Sequence, residues 1–402
     1  MINPVVVAQI GARRRYAIPD ALHEAGLLKE FYTDAYAPSI LSSMMRVVPP
    51  SFMPRKIQRA MGRKATHTPR NKITCIHYDK STTNGSHLKP SIQFSAAVAK
   101  RLPERPFTSY TFNSAGLKII TATRNRGLHA VHDQTLAPRK VIDELMEREL
   151  ELFPDWSATH QQQPDSEVFF ERETHELDAC SHIICGSEWV KATTLAACDL
   201  PPEKITVIPP CIHPSPDPLA RRTSRPAKTP LRVLFAGTLS LRKGIQHLHE
   251  AVRNWDGPEL SVTAIGPHAL PNRLLTSLSS TIKLLPALPY YKLQQVFNRY
   301  DVLVLPTLAE GSARICLEAM AAGLPVITTP NAGSLVRDQV DGFIVPAGET
   351  EPLARILNKL ASDPDQTIEL GEHASEQARQ NTLETYCQSL INLLHSVQEE
   401  SG

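Results

Sequence analysis

The chain has 402 residues, 42% of them apolar and 21% charged, with a formal net charge of +2. That length calls for two domains, the composition excludes a disordered chain, and so balanced a charge gives no argument for a nucleic-acid partner. Seven cysteines with no CxxC pair and no zinc spacing fit a reducing compartment.

In chain order, MINPVVVAQIG carries an apolar run too short for a leader peptide and reads as a first strand, Pro4–Ile10. No apolar run reaches the ~20 residues a bilayer span needs, so the expectation is a cytoplasmic chain. A helix (Tyr16–Glu24) and a strand (Leu27–Thr33) follow. Residues 45–72 hold eight Lys or Arg and no acid. This stretch reads either as a solvated loop or as a basic patch for peripheral contact with an anionic membrane, beside Phe52, Met53, Ile57 and Met61. Strand, helix and strand recur at Pro106–Asn113, Ala115–Arg126 and Leu128–Gln134. Helices are expected at Pro138–Leu152 and Glu167–Ala179, then a strand (His182–Ser187), a helix (Glu188–Ala197) and a strand (Lys204–Ile208).

Pro214–Pro230 is rich in proline and basic residues, lacks periodicity and reads as a linker. The alternation then restarts. Strands are expected at Leu231–Ala236, Leu260–Ile265, Ile282–Leu285, Asp301–Pro306, Pro325–Thr328 and Gly342–Val345. Helices fall at Gly244–Asn254, Leu274–Ser279 and Leu293–Tyr300, and the tail from Pro352 is mainly helical. Strands alternating with helices give right-handed crossovers and parallel sheets covered on both faces. The fold class is therefore α/β: two Rossmann-like domains facing across a cleft, with ligands at the carboxyl ends of the strands.

The stretch Asp301–Ala322 carries the most chemistry. An apolar strand runs through a small-residue loop into a helix that ends at Gly323 and Pro325. Free amides and the helix dipole there favour an anion. Glu310 at the loop and Glu318 in the helix add acceptors for hydroxyls. Phosphates and hydroxyls together describe a sugar nucleotide. The amides of Gly311, Ser312, Ala313 and Arg314 are the candidate anion contacts, and Gly311 allows close backbone approach. No H-E-x-x-H, no P-loop and no strand-borne G-x-G-x-x-G is present, and Asp363-Pro364-Asp365 precedes a tail helix rather than following a strand. No metal site and no cofactor is expected.

EGSARICLE, a Glu-x7-Glu run inside PxxxEGxxxxxLEAMAxGxPVI, resembles the retaining glycosyltransferases of family 4, which have the GT-B fold. The likeness covers most of the chain and is strongest over Leu231–Glu349. It implies a first domain (1–213) for the acceptor, a linker (214–230), a second domain (231–385) for the nucleotide sugar, and a last helix (386–402) returning to the first domain. It implies that Glu310 holds the donor sugar, that Glu318 holds the ribose, and that Lys243 in AGTLSLRKG binds the leaving diphosphate. The arginine that often follows Gly237 in the family is replaced by Thr238, and Arg242 is the candidate substitute. By the same likeness, His132 faces the donor sugar, with Asp133 an alternative contact or base. Gly11 and Ala12 line the phosphate or acceptor, with Arg13–Arg15 as further phosphate contacts or a solvated run. Backbone at Gly266, Pro267 and Pro286–Leu288, including Ala287, reads the base. The segment ending at Cys211 resembles the interdomain approach, with cysteine where glycine is usual. The implied partners are a nucleotide-sugar donor and a glycan, lipid-linked or small-molecule acceptor. A nucleotide-sugar epimerase of the same fold and a silent binding protein are the competing readings.

Overall fold

The computed structural model describes residues 2–36, 67–78, 88–159, 165–212, 226, 229–268, 270–288 and 290–399. Residues 45–66 of the basic stretch and nearly all of the 214–230 linker lie outside these described residues.

The first domain is built on seven parallel strands: β1 (Val5–Gln9), β2 (Leu28–Thr33), β3 (Ile73–Cys75), β4 (Thr108–Phe112), β5 (Ala130–Gln134), β6 (His182–Cys185) and β7 (Ile205–Val207). Their order is β3-β2-β1-β4-β5-β6-β7. Every residue of β1 is buried, and the alternation explains how. Val5 and Val7 face one core, while Val6 and Ala8 face another on the opposite side of the sheet. Helices α1 (Ala17–Glu24), α2 (Leu88–Ala99), α3 (Leu117–Arg124), α4 (Arg139–Leu152), α5 (Ser166–Ala179) and α6 (Glu188–Ala197) cover the two faces. Strand β3 and helix α2 were not legible in the sequence. The strand follows the unpatterned basic stretch, and the helix carries Pro90 in its first turn.

The second sheet has six parallel strands in the order β10-β9-β8-β11-β12-β13. They are β8 (Leu231–Ala236), β9 (Leu260–Ile265), β10 (Lys283–Leu285), β11 (Val302–Leu305), β12 (Val326–Thr328) and β13 (Gly342–Ile344). Helices α7 (Ile245–Arg253), α8 (Asn272–Ser279), α9 (Tyr290–Phe297) and α10 (Arg314–Ala321) connect them. The tail resolves into three helices: α11 (Thr350–Ser362), α12 (Pro364–Arg379) and α13 (Leu383–Glu399). Asp363 caps α12, its side chain accepting from Gln366 N at 2.9 Å with Pro364 at the first helical position.

Two features join the domains. Ile142 and Met146 of α4 and the nearby Trp156 belong to the same apolar cluster as β8, β11 and α10. The chain also returns: Ile212 N donates to Asn381 O at 2.9 Å, and Tyr386, Leu390, Leu394 and Val397 of α13 pack with Ile18 and Leu22 of α1 in the first domain. No helix among the described residues is long and apolar enough to cross a membrane.

Candidate functional site

In the second sheet the strand order reverses between β8 and β11, which are neighbours. The loops leaving their carboxyl ends therefore diverge and open a crevice. After β8 the chain makes one 3-10 turn, Leu241–Lys243, and enters α7 at Gly244. Gly244 has φ +76°, and a Cβ there would lie 1.8 Å from Pro306 O. Only glycine lets α7 start so close to the end of β11. Arg242 O accepts from Leu308 N at 2.9 Å and from Thr307 Oγ1 at 2.8 Å, zipping the two loops together.

This juncture brings three of the expected residues to one point. Arg242 Nη1 and Lys243 Nζ each lie 2.6 Å from Glu310 Oε1. Arg242 Nη1 also donates to Ala309 O at 2.5 Å. The Lys243 stem runs past Gly237, whose φ of +153° favours glycine. Thr238 is exposed on the same loop and contributes no cation. One helical turn below the entrance of α10, Glu318 Oε1 accepts from Arg314 Nη2 at 3.2 Å.

Of the four amides expected to face the ligand, that of Ala313 is spent on Ala332 O at 2.8 Å. The amides of Gly311, Ser312 and Arg314 have no hydrogen-bond partner among the described residues. Ser312 Oγ donates to Gly333 O at 2.8 Å. Gly266 also departs from expectation, because its amide donates to Leu285 O at 3.2 Å. A Cβ there would lie 1.7 Å from Gly237 O, so only glycine allows this close approach of adjacent strand ends. Ala287 is exposed and Leu288 half-buried beyond β10, at the same edge of the sheet.

The first domain closes on this loop. A Cβ on Gly311 would lie 1.7 Å from Thr135 O, and Ser187 Oγ donates to Gly311 O at 2.5 Å. Arg13 Nη1 donates to Thr135 Oγ1 at 2.8 Å, and Thr135 Oγ1 donates to Asn113 Oδ1 at 2.6 Å. Arg14 turns inward: Nε and Nη2 each lie 3.1 Å from a different oxygen of Asp133, a bidentate pair that raises the already high pKa of the guanidinium. Tyr110 OH donates to the same carboxylate at 2.8 Å, and Arg14 lies over the Tyr386 ring of α13. Asp133 is fully buried and so engaged that it offers no base at the cleft. Arg13 and Arg14 are therefore not a solvated charge run. Gly11, at φ +77°, donates its amide to Asp34 Oδ1 at 2.8 Å, and Ala12 packs against the first-domain core. Cys211 lines a small hollow with Arg14, Ala17, Pro210, Arg314 and Tyr386 where the two domains and the last helix meet.

His132 is not brought to the Glu310 cluster. It is fully buried on β5, with Nδ1 2.9 Å from Thr111 Oγ1 and Nε2 3.7 Å from Glu176 Oε2. Adjacent strand residues point to opposite faces. Asp133 takes the face shared with Arg14, which leaves His132 toward α5. Ser187, Thr135 and Asn113 were missed in the sequence. Ser187 alone carried a signal, since Ser-Glu before an apolar helical run marks a cap, and its Oγ does accept from Val190 N at 3.3 Å.

Residues 230–363 match the protein family described as Glycosyl transferases group 1. The amylovoran biosynthesis glycosyltransferase AmsK of Erwinia amylovora is 31% identical over 182 residues, 42% of this chain and 44% of that protein. A D-inositol 3-phosphate glycosyltransferase of Corynebacterium kroppenstedtii is 26% identical over 241 residues, 54% of this chain and 53% of its own length. The matches thus span about half or less of these curated relatives. In three dimensions the chain resembles Anabaena HepE, solved with UDP-glucose, at a TM-score of 0.64 and 16% identity, covering 98% of this chain and 100% of HepE. Two doubly wound parallel sheets joined by a returning helix are the GT-B architecture, and the second domain of this chain is similar over residues 230–363 to the group 1 glycosyltransferases.

Proposed function

We propose that this chain moves a glycosyl group from a nucleoside-diphosphate sugar to an acceptor hydroxyl, with retention of anomeric configuration, in glycan or glycolipid biosynthesis. The observation that carries the reading is the convergence of Arg242, Lys243 and Glu310 at the strand-order reversal of the second sheet, pressed against the first domain. The relatives support it: AmsK is described as an amylovoran biosynthesis glycosyltransferase, and HepE was solved with UDP-glucose. Retention rests on the resemblance of the Glu-x7-Glu run to the retaining enzymes.

The chemistry assigned to these residues follows from charge. As the bond between the anomeric carbon and the phosphate oxygen breaks, negative charge builds on the diphosphate. Lys243 and Arg242 balance it in a site sheltered from water, usually the largest contribution of such an enzyme. The cationic side chains take this role rather than a metal ion. Glu310 accepts hydrogen bonds from the migrating sugar, Glu318 from the ribose, and the open amides of Gly311 and Ser312 hold phosphate or sugar oxygens. The acceptor oxygen bonds to the anomeric carbon, and its proton passes to the departing phosphate. No protein base is needed, consistent with Asp133 being held by Arg14 and Tyr110.

The test is a panel of nucleotide sugars read first by thermal shift, since a native-state ligand raises the midpoint by mass action. Transfer assays with the donor so found follow. Glu310→Ala is expected to cut transfer by about 100-fold or more. A chain that responds to no donor, or a Glu310→Ala variant with full transfer, overturns the reading.

A further inference from the structure

The carboxylate assigned to the sugar is bound by the two cations assigned to the diphosphate. Both cations meet one oxygen, Glu310 Oε1, at 2.6 Å each. Glu310 is only 13% exposed, so this is a sheltered contact rather than a chance pairing on the surface. Two positive groups on one carboxylate leave the cluster with one positive charge in excess. We propose that Glu310 stands in for the donor's diphosphate at a two-cation site made by Arg242 and Lys243, and that the incoming diphosphate displaces it. This inference rests on the donor-site reading above and adds to it an exchange of anions.

Three features argue for exchange. Arg242 supplies the second cation that Thr238 lacks, and its place does not depend on Glu310. Its carbonyl is anchored by Thr307 and Leu308, and its guanidinium keeps the bond to Ala309 O when the carboxylate leaves. A diphosphate carries more charge than one carboxylate and offers separate oxygens to the two cations, so it wins the competition. The displaced Glu310 remains beside the open amides of Gly311 and Ser312, where it meets sugar hydroxyls. Glu310 is thereby freed for the sugar only after the diphosphate has seated.

The same exchange sorts donor from product. A sugar nucleotide repays Glu310 with hydroxyl hydrogen bonds, whereas the nucleoside diphosphate left after transfer does not. Glu310 then competes again for Arg242 and Lys243 and favours release of the product.

Calorimetric titration of wild type and Glu310→Gln with UDP, GDP and ADP tests this. The diphosphate that binds is followed by its monophosphate and its sugar nucleotide. Glu310→Gln is expected to bind the diphosphate about tenfold more tightly, the scale of one charged hydrogen bond no longer competing. The monophosphate and the sugar nucleotide should gain less. Arg242→Gln added to Glu310→Gln should remove most of the gain. Glu318→Gln removes the same charge one turn into α10, beside Arg314 and away from Arg242 and Lys243, and is expected to bind the diphosphate no more tightly than wild type. Circular dichroism confirms that each variant is folded. Diphosphate binding that is unchanged or weaker in Glu310→Gln overturns the exchange and leaves the donor site standing, as does an equal gain in Glu318→Gln. No binding of any of the three diphosphates to either protein overturns the donor-site reading itself, and the exchange with it.

Discussion

His132 is the residue whose environment most limits what it can do. Burial, and after it the nearby Arg13 cation, pushes its imidazole down to about 3. The ring therefore stays neutral in the fold, while the unfolded chain takes up a proton near the ordinary value of 6.5. Because the folded value is the lower one, no stability is lost above 6.5. Below it the unfolded state binds the extra proton, and stability falls as pH drops toward 3. The slope is about 1.4 kcal/mol per pH unit. Thermal melts from pH 7 to pH 5 should show a shallower acid decline for His132→Gln than for wild type, and parallel curves would contradict the burial argument. Glu176, 3.7 Å away, runs the other way. Burial lifts its carboxyl from 4.5 to about 7 against the pull of Arg172 and three amides, so its contribution is lost as pH rises across that interval. The acid decline is thus to be read as a difference between variant and wild type at each pH.

Among the elements, α5 sets the helix N-termini of the first sheet apart from those of the second. Glu176 accepts from the amides of Ser114, Gly116 and Leu117 at 2.8, 2.9 and 3.0 Å, at the entrance of α3. One turn earlier, Glu173 accepts from Arg139 N at 2.8 Å, at the entrance of α4. The first domain has filled these helix N-termini with its own carboxylates, and α3 is the helix at its strand-order reversal. The corresponding helix of the second domain, α10, keeps amides open at Gly311, Ser312 and Arg314. An anion is therefore directed to the second domain. The last helix, α13, acts on the first domain, far from its own sequence neighbours. Leu390→Ala, at a fully buried position in the first-domain core, should cost about 2–5 kcal/mol. Denaturant unfolding should register that loss, and a change under about 0.5 kcal/mol, as at a surface site, would mean the helix is not a structural part of that core.

For the whole molecule the decisive surface is the seam between domains. Glu149 of α4 reaches across it, its Oε1 2.8 Å from Gln246 Nε2 and 2.7 Å from His247 Nε2 on α7. Ser187 and Thr135 press on Gly311 from the same side. Gly311 itself has a backbone outside the left-handed region, so alanine fits its own domain. The clash of its Cβ with Thr135 O arises only when the domains close. Gly311→Ala is expected to leave unfolding within about 0.5 kcal/mol of wild type. It should lower transfer by about tenfold or more, because closure shelters the reaction, and small-angle scattering should report a larger radius of gyration. Full transfer with unchanged scattering would contradict the need for this contact.

The alternation of strands and helices, the break near 214–230 and the Glu-x7-Glu run were written locally. Strand period, glycine turns and helix starts depend on residues a few positions apart, so two parallel-sheet domains and the Glu310–Lys243 pair could be read from the chain. Strand β3 follows the unpatterned basic stretch and could not be read, whereas β7, β10 and β12, equally short, could be, because a helical pattern precedes each of them. Which face a strand residue takes was decided only by packing. His132 and Asp133 are neighbours in sequence, yet one is sealed beneath α5 and the other is clamped by Arg14, because the sheet is covered on both sides. Contacts across more than a hundred residues, such as Ser187 with Gly311, leave no local trace, since they exist only once two separately folded surfaces meet.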